Sequence, residues 1–180
     1  MKAITALAGA VFLTVILAFS FPDDWVLLEK PNFKVFFPKK PEEQTQTVNT
    51  AVGKLKIDSY MYQVPDDKKD DNIMYMLAET TYPDTAINSD KKNLIDKFFR
   101  GSIDGAVNNV HGKLLTETII QLNDYPGRKV RIDFKDGLAV ITMCSYLVKN
   151  KLYITETMTE TKNDFNKSID KFLNSFSLKQ

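Results

Sequence analysis

The chain has 180 residues, with 24 basic and 23 acidic side chains and a formal net charge of +1. This is the length of one ordinary domain, which can bury a large core without a metal or a disulfide. The near-neutral balance excludes the basic surface that nucleic acid binding requires. A single cysteine, Cys144, excludes an intramolecular disulfide, and a single histidine, His111, excludes a multi-histidine zinc site.

Residues 1–20 have the pattern of an export signal. Lys2 supplies a positive start, residues 3–19 are almost continuously apolar, and Ala18 and Ser20 stand where a signal peptidase requires small residues. We therefore expect a cleaved signal peptide over residues 1–20, followed by a single domain over residues 21–180. An uncleaved membrane anchor is the alternative, because about 20 apolar residues can span a bilayer. Under either interpretation the domain is exported, to the periplasm or into the medium, and membrane contact is expected only through an uncleaved leader.

The first part of the domain is predicted to form short strands separated by turns. In residues 54–62 apolar residues alternate with charged ones, which is typical of a half-buried strand. The Asp- and Lys-rich loop at 65–71 lacks the glycine and the ligand spacing of a calcium loop, so we interpret it as a solvated hairpin tip. The predicted strands cover residues 32–37, 45–51, 54–62 and 73–81.

A long amphipathic helix is predicted next, because apolar residues recur at three- and four-residue steps over residues 94–110. Ser89 is the expected N-cap and Gly112 the expected end. Gly101 and Gly105 lie inside this helix, where they indicate either close packing on the sheet or a break.

The second half is predicted to be a meander of strands at 113–122, 130–135, 138–148 and 152–161. Asp136-Gly137 predicts a hairpin with positive φ at both residues. Residues 138–148 are apolar on both faces, which indicates a central strand covered on both sides. A row of threonines in the last strand is interpreted as solvent-facing or as an edge: Thr155, Thr157, Thr159 and Thr161.

A last helix is expected to begin near Asn163 as its cap. It should bury one apolar stripe, formed by Phe165, Ile169, Phe172, Leu173 and Phe176. The predicted fold class is therefore α+β, a central and mostly antiparallel β-sheet with helices on both faces, as in an αβα sandwich.

No group of residues in the sequence has the pattern of a catalytic, cofactor or metal site. His111 falls at a helix-to-strand junction and Cys144 in a strand interior, and we interpret both as structural. The one candidate recognition element is the turn Tyr125-Pro126-Gly127-Arg128. Proline followed by glycine predicts a type II turn, from which Arg128 would project either to form an ion pair that pins the hairpin or to recognise a ligand.

Three stretches of the sequence resemble the bacterial PsbP-like family, which shares its fold with an extrinsic photosystem subunit and a Ran-binding nuclear import factor. They are residues 33–38 with Pro41 and 50–53, residues 125–132, and residues 147–153 with 172–176. The resemblance implies a central antiparallel sheet between helices and a role in binding or assisting other macromolecules. It transfers no ligand residues.

We therefore expect an exported, non-enzymatic accessory or binding module of the cell envelope, acting through contacts with an envelope protein or by binding a small ligand. One alternative is an enzyme whose carboxylate pair is assembled only in space, such as a glycoside hydrolase. Another is a carrier of apolar ligands held between the sheet and the long helix, because several phenylalanines fall on helix faces: Phe98, Phe99, Phe165, Phe172 and Phe176.

The predicted leader can be tested by the mass of the mature protein. We expect the protein recovered from expressing cells to begin at Phe21, because the small residues at Ala18 and Ser20 direct cleavage after Ser20. Intact-mass spectrometry measures this directly. An Ala18→Arg variant, which removes a small residue, should retain residues 1–20. Recovery of the unaltered chain starting at Met1 would contradict the signal-peptide interpretation.

Overall fold

A computed structural model describes residues 25–179, so the predicted leader lies outside the described part of the chain. Its helices are α1 (Lys92–Asn109) and α2 (Lys167–Ser175), with a 3-10 turn over Thr161–Asn163. None of the helices in this range is long and apolar enough to cross a membrane. The strands are β1 (Val26–Glu29), β2 (Phe33–Phe37), β3 (Glu42–Thr50), β4 (Gly53–Gln63), β5 (Asn72–Thr81), β6 (Lys113–Leu122), β7 (Tyr125–Phe134), β8 (Ala139–Val148), β9 (Lys151–Glu160) and β10 (Ser177–Leu178).

The fold is α+β and its main sheet is antiparallel, as the sequence predicts. Seven strands lie in the order β3-β4-β5-β9-β8-β7-β6, which joins two meanders where β5 pairs with β9. That pairing runs from Thr81 opposite Lys151 to Asn72 opposite Thr159. A second sheet has the order β1-β2-β10. Its outer strands β1 and β10 were not predicted, because segments of four and two residues carry too little periodicity to detect.

The central strands are buried, which confirms one prediction and corrects another. Every residue of β8 from Ala139 to Leu147 is buried, as expected for a strand apolar on both faces. The interpretation of the β9 threonines as solvent-facing is wrong. Thr155, Thr157 and Thr159 are fully buried because β9 is the middle strand of the seven and α2 packs against it.

α2 covers an aromatic core that includes β2. Phe172 packs edge-on against Phe37 and Tyr75, at centroid distances of 4.9 and 5.3 Å. The helix begins at Lys167, with Asn166 and not Asn163 as its N-cap, and the Asn166 side chain accepts a hydrogen bond from the Ile169 amide at 3.0 Å. Phe165 precedes this cap, so it is 75% exposed and not buried as predicted. The other apolar residues predicted for this stripe are buried: Ile169, Phe172, Leu173 and Phe176.

α1 packs over β7 and β8 through two further apolar clusters. Ile103 and Phe99 are fully buried on its inner side. Ile103 belongs to a cluster with Val130 of β7 and Met143 of β8, and Phe99 belongs to one with Leu147. The stripe predicted from three- and four-residue spacing is therefore the face that α1 buries.

Both ends of α1 differ in detail from the predicted caps. The helix begins after Lys91, and the Ser89 hydroxyl instead accepts a hydrogen bond from the Lys149 amide at 3.1 Å. At its end His111 takes a left-handed conformation with φ 49°. The amides of His111 and Gly112 donate to Asn108 and Val107, the paired bonds of a Schellman motif. Histidine thus occupies the position where glycine is commonest, and its role there is carried by its backbone.

The predicted hairpin with positive φ at Asp136 and Gly137 is confirmed. Both residues have positive φ, 53° and 87°, within a four-residue loop that connects β7 to β8. The Asp133 carboxylate accepts a hydrogen bond from the Gly137 amide at 2.8 Å, which stabilises the loop.

The two glycines of α1 provide a test of local stability. Gly101 and Gly105 are exposed, the helix is continuous through both, and an added Cβ would meet no atom within 4 Å. Gly101→Ala and Gly105→Ala should each raise the free energy of unfolding by about 0.5–1 kcal/mol, because alanine loses less backbone entropy in a helix. Urea denaturation would measure this, and loss of stability in either variant would show a contact that the open surface does not predict.

Candidate functional site

The predicted recognition turn is not a turn in the structure. Tyr125, Pro126, Gly127 and Arg128 are the first four residues of β7, and the reversal occurs earlier, at residues 123–124. Asn123 takes the positive φ that this tight connection needs, 54°, so the chain has no need of a type II turn at proline and glycine. Pro126 lies ahead of the point where pairing with β8 begins, where a missing amide hydrogen is tolerated.

Gly127 is required by packing and not by its backbone angle. A Cβ at this position would lie 2.6 Å from the Ser145 carbonyl oxygen and 2.6 Å from a ring carbon of Tyr146. Any side chain would therefore force β7 away from β8. The glycine that marked a turn in the sequence instead marks a close approach of two strands.

Arg128 uses its charged group inside the fold. Its side chain is 7% exposed and forms ion pairs with Asp96 of α1 and Glu117 of β6. The guanidinium also lies 4.9 Å from the centre of the Phe99 ring. These contacts tie α1 to the sheet, which matches the ion-pair alternative left open by the sequence. A recognition role for the whole Tyr125–Arg128 segment stays a prediction.

Arg128 lines an open depression together with Asp96 and Glu117, and Tyr125 lines a separate opening. The opening is a cleft of about 580 Å³ beside the β8–β9 hairpin, also lined by Tyr153. Its three lysines are neutralised by ion pairs to carboxylates of the same chain, Lys149 to Asp90, Lys151 to Glu79 and Lys179 to Glu29. The cleft therefore presents little free positive charge.

A larger groove lies between the β3–β4 hairpin and the N-terminal half of α1. It has a volume of about 820 Å³, and we call it the α1 groove. Its base is formed by the buried side chains of Leu55 and Ile87. Tyr82 and Phe98 meet edge to face at 5.2 Å and form one wall. The principal lining residues are Leu55, Tyr82, Ile87, Leu94, Phe98 and Gly101.

The rim of the α1 groove carries one positive charge. Lys97 lines the groove from α1, and it forms no ion pair with any residue in the range 25–179. Gly101 lies one turn further along the helix and leaves open space above its backbone. The groove thus combines an apolar base, an aromatic wall and a cation at its mouth. Periodicity predicted the helix side of this groove, but the hairpin side depends on long-range packing that the sequence does not signal.

The carboxylates of the described residues do not form a catalytic pair in either opening. The linings of the α1 groove and of the β8–β9 cleft contain no Asp or Glu. Residues 25–179 also contain no cluster of three or more His, Cys, Asp or Glu side chains that could hold a metal ion. The glycoside hydrolase alternative therefore receives no support from these two sites.

Glu156 is a carboxylate in an unusual setting that the sequence analysis missed. It lies in the middle of β9, directly opposite Met76 of β5 and Met143 of β8. It makes no hydrogen bond or ion pair with other residues of the described range. Burial raises the pKa of Glu156 to about 7, because an apolar environment disfavours the charged form.

Burial also acts on Cys144, which lies on the neighbouring strand β8. Its thiol is buried, as predicted, and burial raises its pKa to about 11. A thiol that stays protonated at neutral pH is a poor nucleophile.

The raised pKa of Glu156 predicts a pH dependence of stability. Between about pH 4.5 and 7 the folded state keeps a proton that the unfolded state has released, so stability should fall as pH rises. The loss should be about 2–3 kcal/mol, complete above pH 7, and absent in Glu156→Gln. Urea denaturation from pH 4 to 8 would measure it, with the exposed Glu160→Gln as the control. Parallel curves for the unaltered protein and Glu156→Gln would contradict it.

Comparison with known proteins assigns this chain to no family. The sequence matches no family model, and it matches no curated protein. The resemblance to the PsbP-like family therefore depends on three short stretches and stays a prediction.

Proposed function

We propose that this protein is an exported, non-enzymatic binding module of the cell envelope that binds a small apolar ligand with an anionic end. The observation that carries the proposal is the α1 groove, an open apolar site of about 820 Å³. Sites for small molecules in proteins are concave, mostly apolar and about 300–1,000 Å³ in volume, with few polar groups. The α1 groove falls within this range of volume, and its lining is mostly apolar.

The apolar part of the ligand would lie against the base and the aromatic wall of the groove. Leu55 and Ile87 are already buried, so the base is preformed and needs no rearrangement to receive a ligand. Leu94 and Phe98 are only half-buried and would lose the rest of their exposed surface on binding. Removal of this surface from water supplies the driving force, at roughly 25 cal/mol per Å².

Lys97 indicates the charge of the ligand. A cation at the mouth of an apolar groove favours an amphiphile whose anionic group stays at the surface while its apolar part enters. Fatty acids and aromatic sulfonates have this chemistry. Because Lys97 is exposed, we expect it to contribute less to affinity than the apolar base does.

Export and fold are further parts of the same proposal. Export is supported by the leader pattern of residues 1–20. The finer fold that we propose is a PsbP-like αβα sandwich with one helix on each face of the main sheet. It is supported by the alternation along β9, where Tyr153 belongs to the cluster beneath α2 and Ile154 packs against the clusters beneath α1.

The groove can be tested by filling it from α1. The probe is 1-anilinonaphthalene-8-sulfonate, which is apolar, anionic and fluorescent when bound. Gly101→Phe should weaken binding by at least about tenfold, because a phenyl ring at this position occupies the groove. Lys97→Gln should weaken it by a few-fold. Dodecanoate should displace the probe from the unaltered protein.

The matched control is Gly105→Phe, which adds the same ring to the same helix outside the groove lining. This variant should bind the probe like the unaltered protein. Circular dichroism would establish that both variants are folded. Equal binding by Gly101→Phe and Gly105→Phe, or no saturable binding by the unaltered protein, would overturn the proposed function.

A further inference from the structure

All the methionines that follow Met1 lie on one face of the main sheet. The chain has six methionines, so five remain after Met1. They occupy four adjacent strands, β4, β5, β9 and β8, at positions whose side chains point the same way. We call this surface the methionine face, and it is formed by Met61, Met74, Met76, Met143 and Met158.

Glu156 stands at the centre of the methionine face. Met76 and Met143 are its direct cross-strand partners on the two sides, and Met158 is the next residue on the same face of β9. Met74 is directly opposite Met158. Direct partners have Cβ atoms about 4.5–5.5 Å apart and diagonal neighbours about 7–8 Å apart, so four thioether side chains can reach the Glu156 carboxylate region.

The side chains of the methionine face that surround Glu156 are partly exposed to solvent. Met74, Met76, Met158 and Glu156 are each half-buried. On the α1 side Met143 is 2% exposed and closes the site. The ligating atoms would therefore be only partly solvated, which strengthens an electrostatic interaction with the carboxylate.

Core packing alone accounts for the methionines but not for the carboxylate. Met143 and Met158 pack in the cluster beneath α1, whereas the aromatic cluster beneath α2 and the cluster around Phe99 contain no methionine. A half-buried carboxyl group without a hydrogen bond or ion pair within residues 25–179 is costly for the fold. A bound cation would supply the missing partner.

Thioether sulfur is a soft donor, and soft donors select Cu(I) over magnesium, calcium and other hard cations. Thioethers carry no proton at any pH, so only the carboxylate would compete with protons for the ion. We propose that Met74, Met76, Met158 and Glu156 form a site for a soft monovalent cation, Cu(I). Binding would release the proton of Glu156 where that group is protonated, and no electron is transferred.

The site can be tested with Ag(I), a soft monovalent ion that needs no reducing agent. The protein would carry Cys144→Ala throughout, because a thiol also binds Ag(I). Calorimetric titration with silver nitrate in chloride-free buffer should show one ion per chain. Met76→Leu and Met158→Leu nearly conserve volume and should each weaken binding by more than about tenfold. Glu156→Gln should also weaken binding, because the anionic donor of the site is lost.

The matched control is Met61→Leu, since Met61 lies beyond Met76 and is not a direct neighbour of Glu156. This variant should bind Ag(I) within about twofold of the background protein. In NMR spectra of the background protein with labelled methionine methyl groups, Met74, Met76 and Met158 should shift more than Met61. That readout needs no substitution on the methionine face, so it holds even if a leucine variant folds poorly.

Three results with Ag(I), and one with Mg²⁺, would overturn the inference. The three with Ag(I) are the absence of saturable binding, affinity unchanged in Met76→Leu and Met158→Leu, and a loss in Met61→Leu as large as theirs. Titration with Mg²⁺ should give no binding, and equal binding of Mg²⁺ would equally contradict a soft site. The Gly101→Phe variant should bind Ag(I) normally, because the α1 groove and the methionine face share no residue.

Discussion

The pairing of β5 with β9 is the constraint on which the rest of the structure depends. These strands are about 80 residues apart in sequence, and their nine or so paired positions join the two meanders into one sheet. The pairing is reinforced at one end by Lys151 with Glu79, and at the other by Asn72 with Thr159. Asn72 also accepts from Asn166, the cap of α2, so the same contact fixes where that helix begins. Without this pairing neither the α1 groove nor the methionine face would exist.

The two candidate sites are chemically distinct because they use different parts of this scaffold. The α1 groove lies where a hairpin from the first meander faces a helix that packs on the second meander. Its lining is therefore mostly apolar, and its one charged residue, Lys97, lies at the rim. The methionine face lies on the strands themselves, where alternation projects thioethers and one carboxylate to the same side. An apolar amphiphile suits the first arrangement and a soft cation suits the second.

Periodicity in the sequence predicted most of the helices and strands, but it did not predict which residues surround them in the fold. The buried strand β8, the inner stripe of α1 and the Asp136-Gly137 loop follow from local pattern, since apolar spacing and positive φ are properties of the segment itself. The threonines of β9 were misread because threonine is favoured both in edge strands and in buried ones. Residues 125–128 were misread because glycine serves either a turn or a close approach, and only the neighbouring Ser145 and Tyr146 distinguish the two. The helix side of the α1 groove was therefore predicted in advance, as the apolar stripe of α1, whereas the methionine face was not.

The sequence by itself determined the α+β class, the antiparallel strands and the buried stripe of α1, because these depend on local period. Only the tertiary structure decided that Met76 lies beside Glu156 and that Leu55 faces Phe98. Both neighbours come from contacts between distant segments, and their formation depends on loop-closure entropy and on the burial of the threonine-bearing face of β9. Neither loop-closure entropy nor burial between distant segments is encoded in a short window of residues. A local pattern therefore could not reveal which strands and helices would become neighbours.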